Sequence, residues 1–198
     1  YNKRYSVNFQ LIRNTPKLEK ESKKVDQFNF DGKKIILYQG VMNPGRGLEE
    51  IIAAMPFLEN AILVIIGFGK IEDELKELVR KLNLEDKVIF YGKVPFEELL
   101  SYTKQANVGL LLERPFGLSF TYSLPNKLFD FIHAELPILA SPLVEVKRIM
   151  DQYNVGELVE DYSPESLAKK LNEMLSNSEK REAWKGNMQK AKKELNWE

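Results

Sequence analysis

A cation and an acid stand about one helical turn apart in the stretch 123–131, SLPNKLFDF, where Lys127 precedes Asp130 by three residues. Proline favours the first position of a helix, so Pro125 is expected there, with Ser123 or Leu124 as the cap before it. Asn126 and Lys127 then present free N–H groups at the helix start. A lysine at the positive end of a helix dipole is unfavourable by itself, and a bound anion such as a diphosphate reverses the sign of that interaction. Asp130 shares a face with Lys127, and its carboxylate is suited to accept hydrogen bonds from two ribose hydroxyls. The alternative is a Lys–Asp surface pair worth at most about 0.5 kcal/mol.

A second chemical stretch is 39–47, QGVMNPGRG. Gly40, Gly45 and Gly47 let the backbone come close to a ligand, and Arg46 brings a planar cationic fork that matches phosphate. The alternative is an ordinary Gly/Pro turn with a solvent-exposed arginine. The loop lacks the Gly-Lys-Ser/Thr of a Walker A motif and the spacing of a dinucleotide fingerprint. Gly67-Phe68-Gly69 offers a further close backbone approach, without a third glycine. Gly92, Lys93 and Val94 precede Pro95; they read either as a plain turn or as the wall of a slot for a flat base. His133 is the single histidine. Placed among Phe131, Ile132 and Ala134, it reads as a structural residue. No His/Asp/Glu cluster has metal-ligand spacing.

These residues need a scaffold, and the hydrophobic pattern supplies one. Apolar runs at 35–39, 61–66, 87–91, 108–112, 137–140 and 155–159 are short, continuous and bounded by Gly, Pro or polar residues, which predicts buried strands. Helical patterns lie between them. Ile71, Leu75, Leu78, Val79 and Leu82 follow one face of a 3.6-residue period. Phe96, Leu99 and Leu100 mark a shorter helix. Ser163-Pro164-Glu165 reads as a cap, a first-turn proline and an early acid ahead of Leu167, Leu171 and Met174. Trp184, Met188, Ala191 and Leu195 form the stripe of a final helix over 178–196. Alternating strands and helices predict a doubly wound, Rossmann-like α/β fold with a parallel sheet of about six strands. Ligands of such folds bind outside the carboxyl ends of the strands, where the residues above fall.

The chain has 198 residues, 29 basic and 29 acidic side chains, 43% hydrophobic residues and no cysteine. Balanced charge gives no whole-chain signal for nucleic acid, disulfides are excluded, and no apolar run is long enough for a membrane-spanning helix. The chain begins at Tyr1 with a basic stretch, so 1–32 is expected to be a lead-in from a missing N-terminal domain, with 33–198 as the ligand-binding domain.

Taken in order, "YQGVMNPGRGLEEIIAAM", "VIIGFGKIEDELKELVRKLNLEDKVIFYGKVPFEELLSYTKQANVGLLL", "SLPNKLFDFIHAELPILAS" and "VGELVEDYSPESLAKKLNEML" resemble the C-terminal, donor-binding domain of a GT-B glycosyltransferase, most like the GT4 (group 1) family. The resemblance runs from about Lys33 to the end. It implies transfer of a sugar, with a retaining outcome, from a UDP- or GDP-type nucleotide sugar to a glycan or lipid-linked glycan in polysaccharide biosynthesis. The enzyme would be a hexosyltransferase working in the cytoplasm, or at the membrane surface as the full-length protein. It implies a diphosphate held by Gly40, Arg46, Asn126 and Lys127, a ribose held by Asp130, and a base near Gly92, Lys93 and Val94. Gly117 and Leu118, in the loop 113–118, match the loop that faces the donor sugar. Neither metal nor cofactor is implied, since protein cations and helix dipoles stabilise the leaving diphosphate.

Two departures from the family pattern stand out. Val41 replaces an arginine in the first loop, with Arg46 at the lysine position. Asp130 replaces the second of two glutamates, while Tyr122 stands at the first. Such a half alone is expected to bind nucleotide but to transfer no sugar, and the tip of its final helix, at Leu195 and Trp197, is expected to lack its partner. The other readings are a GT-B sugar-nucleotide epimerase and a non-catalytic Rossmann-type binding module. An NAD-binding module should carry an acid after the second strand, and Gly67-Phe68-Gly69 has none.

Overall fold

The computed structural model describes residues 14–17 and 23–197. Among these, six strands form one parallel sheet: β1 (Lys34–Gln39), β2 (Ala61–Ile66), β3 (Val88–Gly92), β4 (Val108–Leu111), β5 (Ile138–Ala140) and β6 (Gly156–Leu158). Their spatial order is β3-β2-β1-β4-β5-β6. The chain therefore works outward from β1 to one edge, then returns to β4 and works outward to the other. The crevice between β1 and β4 is the topological switch point at which ligands of doubly wound folds bind.

Helices cover both faces: α1 (Leu48–Ala54), α2 (Glu72–Lys81), α3 (Phe96–Thr103), α4 (Leu118–Thr121), α5 (Asn126–His133), α6 (Val144–Tyr153), α7 (Pro164–Ser176) and α8 (Ser178–Glu194). Successive side chains of a strand point to opposite faces, so a strand buried on both sides must be apolar throughout. β1 shows this: Ile36 and Tyr38 join the core under α1, α2 and α7, while Ile35 and Leu37 join the core under α5 and α6. The last helix closes both layers, because Trp184 packs into the first core and Met188, Ala191 and Leu195 into the second.

Of the two residues expected to form an unpartnered tip, Trp197 is exposed, whereas Leu195 is seated within this half. Leu195 is buried, and its carbonyl accepts a hydrogen bond from Nε2 of His133 at 2.8 Å. His133 is thus a structural residue holding α8 against α5, as its apolar neighbours suggested. Part of the lead-in also packs here. Val25, Phe28 and Phe30 lie against the second core, and the Phe28 N–H donates to Oε1 of Gln105 at 2.7 Å. The Phe28 ring meets Tyr91 edge-on at 5.2 Å and Tyr102 at 5.5 Å.

Candidate functional site

A cavity of about 360 Å³ opens at the switch point. Its walls come from the end of β1 and the loop after it (Gln39, Gly40, Arg46) and from the start of α5 (Asn126, Lys127, Asp130). The fold therefore brings together the diphosphate and ribose residues expected from sequence: Gly40, Arg46, Asn126, Lys127 and Asp130.

Helix α5 begins one residue later than expected. Pro125 is the N-cap, with φ −65° and ψ 137°, and the first helical residue is Asn126. The extended ψ turns the Pro125 carbonyl back to accept from the Leu128 N–H at 3.0 Å. No side chain caps the helix, so the N–H groups of Asn126 and Lys127 remain available at its positive end.

The two cations converge on one carboxylate. Glu113 lies two residues past the end of β4 and is fully buried; its Oε1 lies 3.1 Å from Nη1 of Arg46 and 2.7 Å from Nζ of Lys127. The surface pair between Lys127 and Asp130 does not form. Lys127 also sits over the Tyr38 ring, 4.4 Å from its centroid, an arrangement that favours a cation. Burial holds the Lys127 ammonium below the usual lysine range, and Glu113 opposes that shift. Burial likewise raises the Tyr38 hydroxyl well above its ordinary value.

Asp130 faces a different partner. Its Oδ2 accepts from Nε2 of Gln39 at 3.3 Å, and Oε1 of Gln39 lies 2.7 Å from the Thr103 hydroxyl. Burial pushes the Asp130 carboxyl up to about 6, against the lowering effect of the Gln39 hydrogen bond. A second cavity, of about 220 Å³, shares Gln39, Leu99 and Asp130 with the first and extends along Phe96, Leu100 and Thr103. Asp130 thus lines both cavities.

Packing is one reason for glycine in these turns. A Cβ at Gly47 would lie 2.4 Å from Cβ of Leu112, and one at Gly67 only 1.9 Å from the Gly40 carbonyl oxygen. These loops need glycine because they touch each other. Gly40 is the one that lines the cavity.

The remaining candidates lie apart. Gly92 ends the edge strand β3, Lys93 and Val94 follow it, and none of the three is among the residues lining the two cavities around Asp130. There Nζ of Lys93 sits 5.5 Å from the Phe68 ring centre, and Val94 packs on the second core. Gly117 is the N-cap of α4 with φ 98°, and Leu118 is exposed beside it. Of the two positions that depart from the family pattern, Tyr122 is exposed, and Val41, also exposed, lines the switch-point cavity.

Three residues of the site escape sequence reasoning as individuals: Glu113, Gln39 and Thr103. A signal exists for two of them. Gln39 is the polar last residue of the run 35–39 and Glu113 directly follows the run 108–112, and both are buried. A buried polar group needs a partner, so each marks a contact to be found.

Comparison with known proteins agrees with this architecture. The family "Glycosyl transferases group 1" matches residues 19–191. An uncharacterised glycosyltransferase of Methanocaldococcus jannaschii is 30% identical over 152 residues, covering 74% of this chain and 37% of its own length. This chain thus spans well under half of that relative. Among solved structures, the C-terminal domain of the group 1 family protein LpcC from Francisella tularensis superposes with a TM-score of 0.62 at 22% identity, covering 79% of this chain and 83% of that one. Anabaena HepE, solved in complex with UDP and glucose, gives 0.68 at 15% identity, covering 84% of this chain and 45% of its own. The six-stranded parallel sheet, its switch-point cavity and the family match over most of the sequence lead to one assignment: the chain belongs to the group 1 glycosyltransferases and has the Rossmann-like fold of a GT-B half.

Proposed function

We propose that the switch-point cavity binds the diphosphate and ribose of a nucleotide-sugar donor, so that this domain is the donor-binding half of a retaining, GT4-like hexosyltransferase. The observation that carries the reading is one cavity wall holding two cations, an uncapped helix start and a carboxylate one turn on. Arg46, Lys127 and the N–H groups of Asn126 and Lys127 fit a diphosphate. Asp130, ionised above about pH 6, accepts ribose hydroxyls through lone pairs that Gln39 leaves free. Gly92, Lys93 and Val94 contact the base, and the Gly117–Leu118 loop faces the sugar. The donor is of UDP or GDP type, and the likeness to HepE, a protein solved with UDP and glucose, supports the first of these.

As the sugar leaves, negative charge grows on the nucleoside diphosphate. Donors already aimed at that position stabilise it without reorganising, so the reading requires neither metal nor cofactor. The acceptor, a glycan or lipid-linked glycan of polysaccharide synthesis, is held by a further domain to which residues 1–32 connect, and the work is done in the cytoplasm or at the membrane surface. Positioning of both reactants supplies about 7–11 kcal/mol of such a barrier, so residues 1–198 alone bind donor but transfer no sugar.

Titration calorimetry with UDP, GDP, ADP and UDP-glucose tests this. At least one should bind, and Arg46→Ala should weaken it by roughly 10-fold or more, the worth of a charge-assisted contact. Unchanged affinity in Arg46→Ala and in Asp130→Asn would remove both the phosphate and the ribose assignments.

A further inference from the structure

We propose that Glu113 is a positioning residue: buried behind the cavity wall, it holds the Arg46 and Lys127 side chains together through one oxygen and secures the charge of Lys127. The loss of that charge would disable anion binding at the start of α5. The part of the inference that concerns ligand affinity rests on the donor-site reading above; the part that concerns the charge does not.

Three features point this way. First, the arrangement is layered. Arg46 and Lys127 line the cavity, whereas Glu113 does not and is fully buried. Its carboxylate meets the cations from behind and leaves their fronts to the ligand.

Second, the two oxygens of Glu113 are unequal. Oε1 serves both cations, while buried Oε2 has no hydrogen-bond partner among the described residues. A carboxylate kept to tie down the 113–118 loop would be expected to use both oxygens on nearby N–H groups, since an unpaired buried acceptor costs about 1–3 kcal/mol. Glu113 carries that cost and still gives its bonded oxygen to charges alone.

Third, the surroundings of Lys127 oppose its charge almost everywhere else. Its side chain is 11% exposed, and burial disfavours an ammonium. Arg46, from the loop after β1, brings a like charge to the same oxygen. The start of α5 adds its positive dipole. On the favourable side stand the Tyr38 ring from β1, Asp130 one turn along α5 in the same cavity, and Glu113 from the end of β4. Of these acids, Glu113 is the one in contact. Gln at this position would keep an acceptor and remove the charge.

The test uses the chain as it is. With ¹⁵N-labelled lysine, the Lys127 side-chain resonance, assigned through Lys127→Arg, is titrated in the absence of ligand. In Glu113→Gln its midpoint should fall by at least one pH unit; an unchanged midpoint would overturn the inference. UDP and GDP affinities are then measured from about pH 7 to about pH 9, above the usual range of other titrating carboxylates. Wild type should vary little. Glu113→Gln should bind at least 10-fold more weakly at the upper end and recover as pH falls. Adding Lys127→Arg to Glu113→Gln should abolish that pH dependence, because a guanidinium does not lose its proton. A purely structural glutamate predicts weak binding at every pH and no rescue, and that result would reject the proposal. Should Glu113→Gln not fold, Glu113→Asp, which keeps the charge but withdraws it by one methylene, carries the same titration: a lowered midpoint supports the proposal and an unchanged one rejects it. If wild type binds neither nucleotide while the Lys127 midpoint falls, the donor-site reading fails and the charge-securing role stands.

Discussion

Two helices begin at the carboxyl end of the sheet, on either side of the switch point, and they start in opposite ways. Helix α1 follows the glycine-rich loop and places Glu49 and Glu50 in its first turn. Helix α5 follows Pro125, has no acid in its first turn and carries Lys127 there instead. The first helix supplies its own negative charge to its positive end. The second adds a cation to an end that is already positive. Loop chemistry alone favours α1 as the phosphate site, because glycines are the familiar sign of a cradle. The structure shows Gly47 and Gly67 occupied with loop-to-loop contact, while Asn126 and Lys127 at the uncapped start of α5 line the cavity. Under the proposed donor reading, a helix start that lacks its own counter-charge is the better guide than glycine content.

The comparison can be broken at four places. The largest effect is expected at Lys127. Lys127→Ala leaves Glu113 with Arg46 as its one charged partner, and removing one member of a buried ionic cluster costs about 3–5 kcal/mol; retention of Arg46 places the expected loss near the lower end. Urea melts should show it together with loss of nucleotide binding, and a variant of wild-type stability would deny that the cluster is coupled.

Gly67→Ala comes next. Its φ of 142° and the approach of Gly40 predict a loss of about 2–4 kcal/mol, in line with backbone strain plus overpacking. Thermal unfolding checks this, and a neutral result would mean that the β1 and β2 loops can part without cost.

Asp130→Asn should act in the opposite direction on stability. The carboxyl is raised from 3.8 to about 6 in the fold, so the folded state favours its neutral form. That contribution is fully present below about pH 4 and is lost as pH rises through about 6. Asparagine stays neutral, so the variant should gain about 1–3 kcal/mol over wild type above pH 6 and show no advantage below pH 4. Its nucleotide affinity should fall. A pH series of denaturant midpoints separates the two outcomes, and a variant that is less stable at pH 7 would contradict the assignment.

The smallest effect belongs to α1. Glu49→Gln removes an exposed first-turn acid and should cost about 0.3–1 kcal/mol, with unchanged nucleotide affinity. A large change in affinity would mean that α1, not α5, governs the anion.

Much of the scaffold is legible in the sequence because burial on both faces writes strands as unbroken apolar runs. All six expected runs coincide with β1 to β6 to within two residues at either end. Helix α6 does not stand out in the sequence, although Val146, Ile149 and Met150 follow helical spacing and are buried. Its polar residues and its start directly after Pro142 and Leu143 make it read as connection. Ser163 caps α7 in position but not in contact: its hydroxyl bonds Asp161 and not the helix. Local side-chain choices of this kind depend on whether the hydroxyl donates to a nearby carboxylate or accepts from a helix N–H.

By itself the sequence determined the doubly wound order of elements, the family, and which residues carry the charge at the strand ends. The order of elements and the placing of charge follow from periodicity and residue type, which are local; the family follows from the resemblance of four ordered segments. Tertiary structure decided the pairings. Glu113 and Arg46 lie 67 residues apart, and Gln39 and Asp130 lie 91 apart; each pair meets because β4 returns to the side of β1. Whether Lys127 bonds to Asp130 on its own helix or to Glu113 on another element is a contest between a partly solvated contact and a buried one. The buried carboxylate prevails because it is shut off from bulk solvent, and no spacing within 123–131 could reveal that.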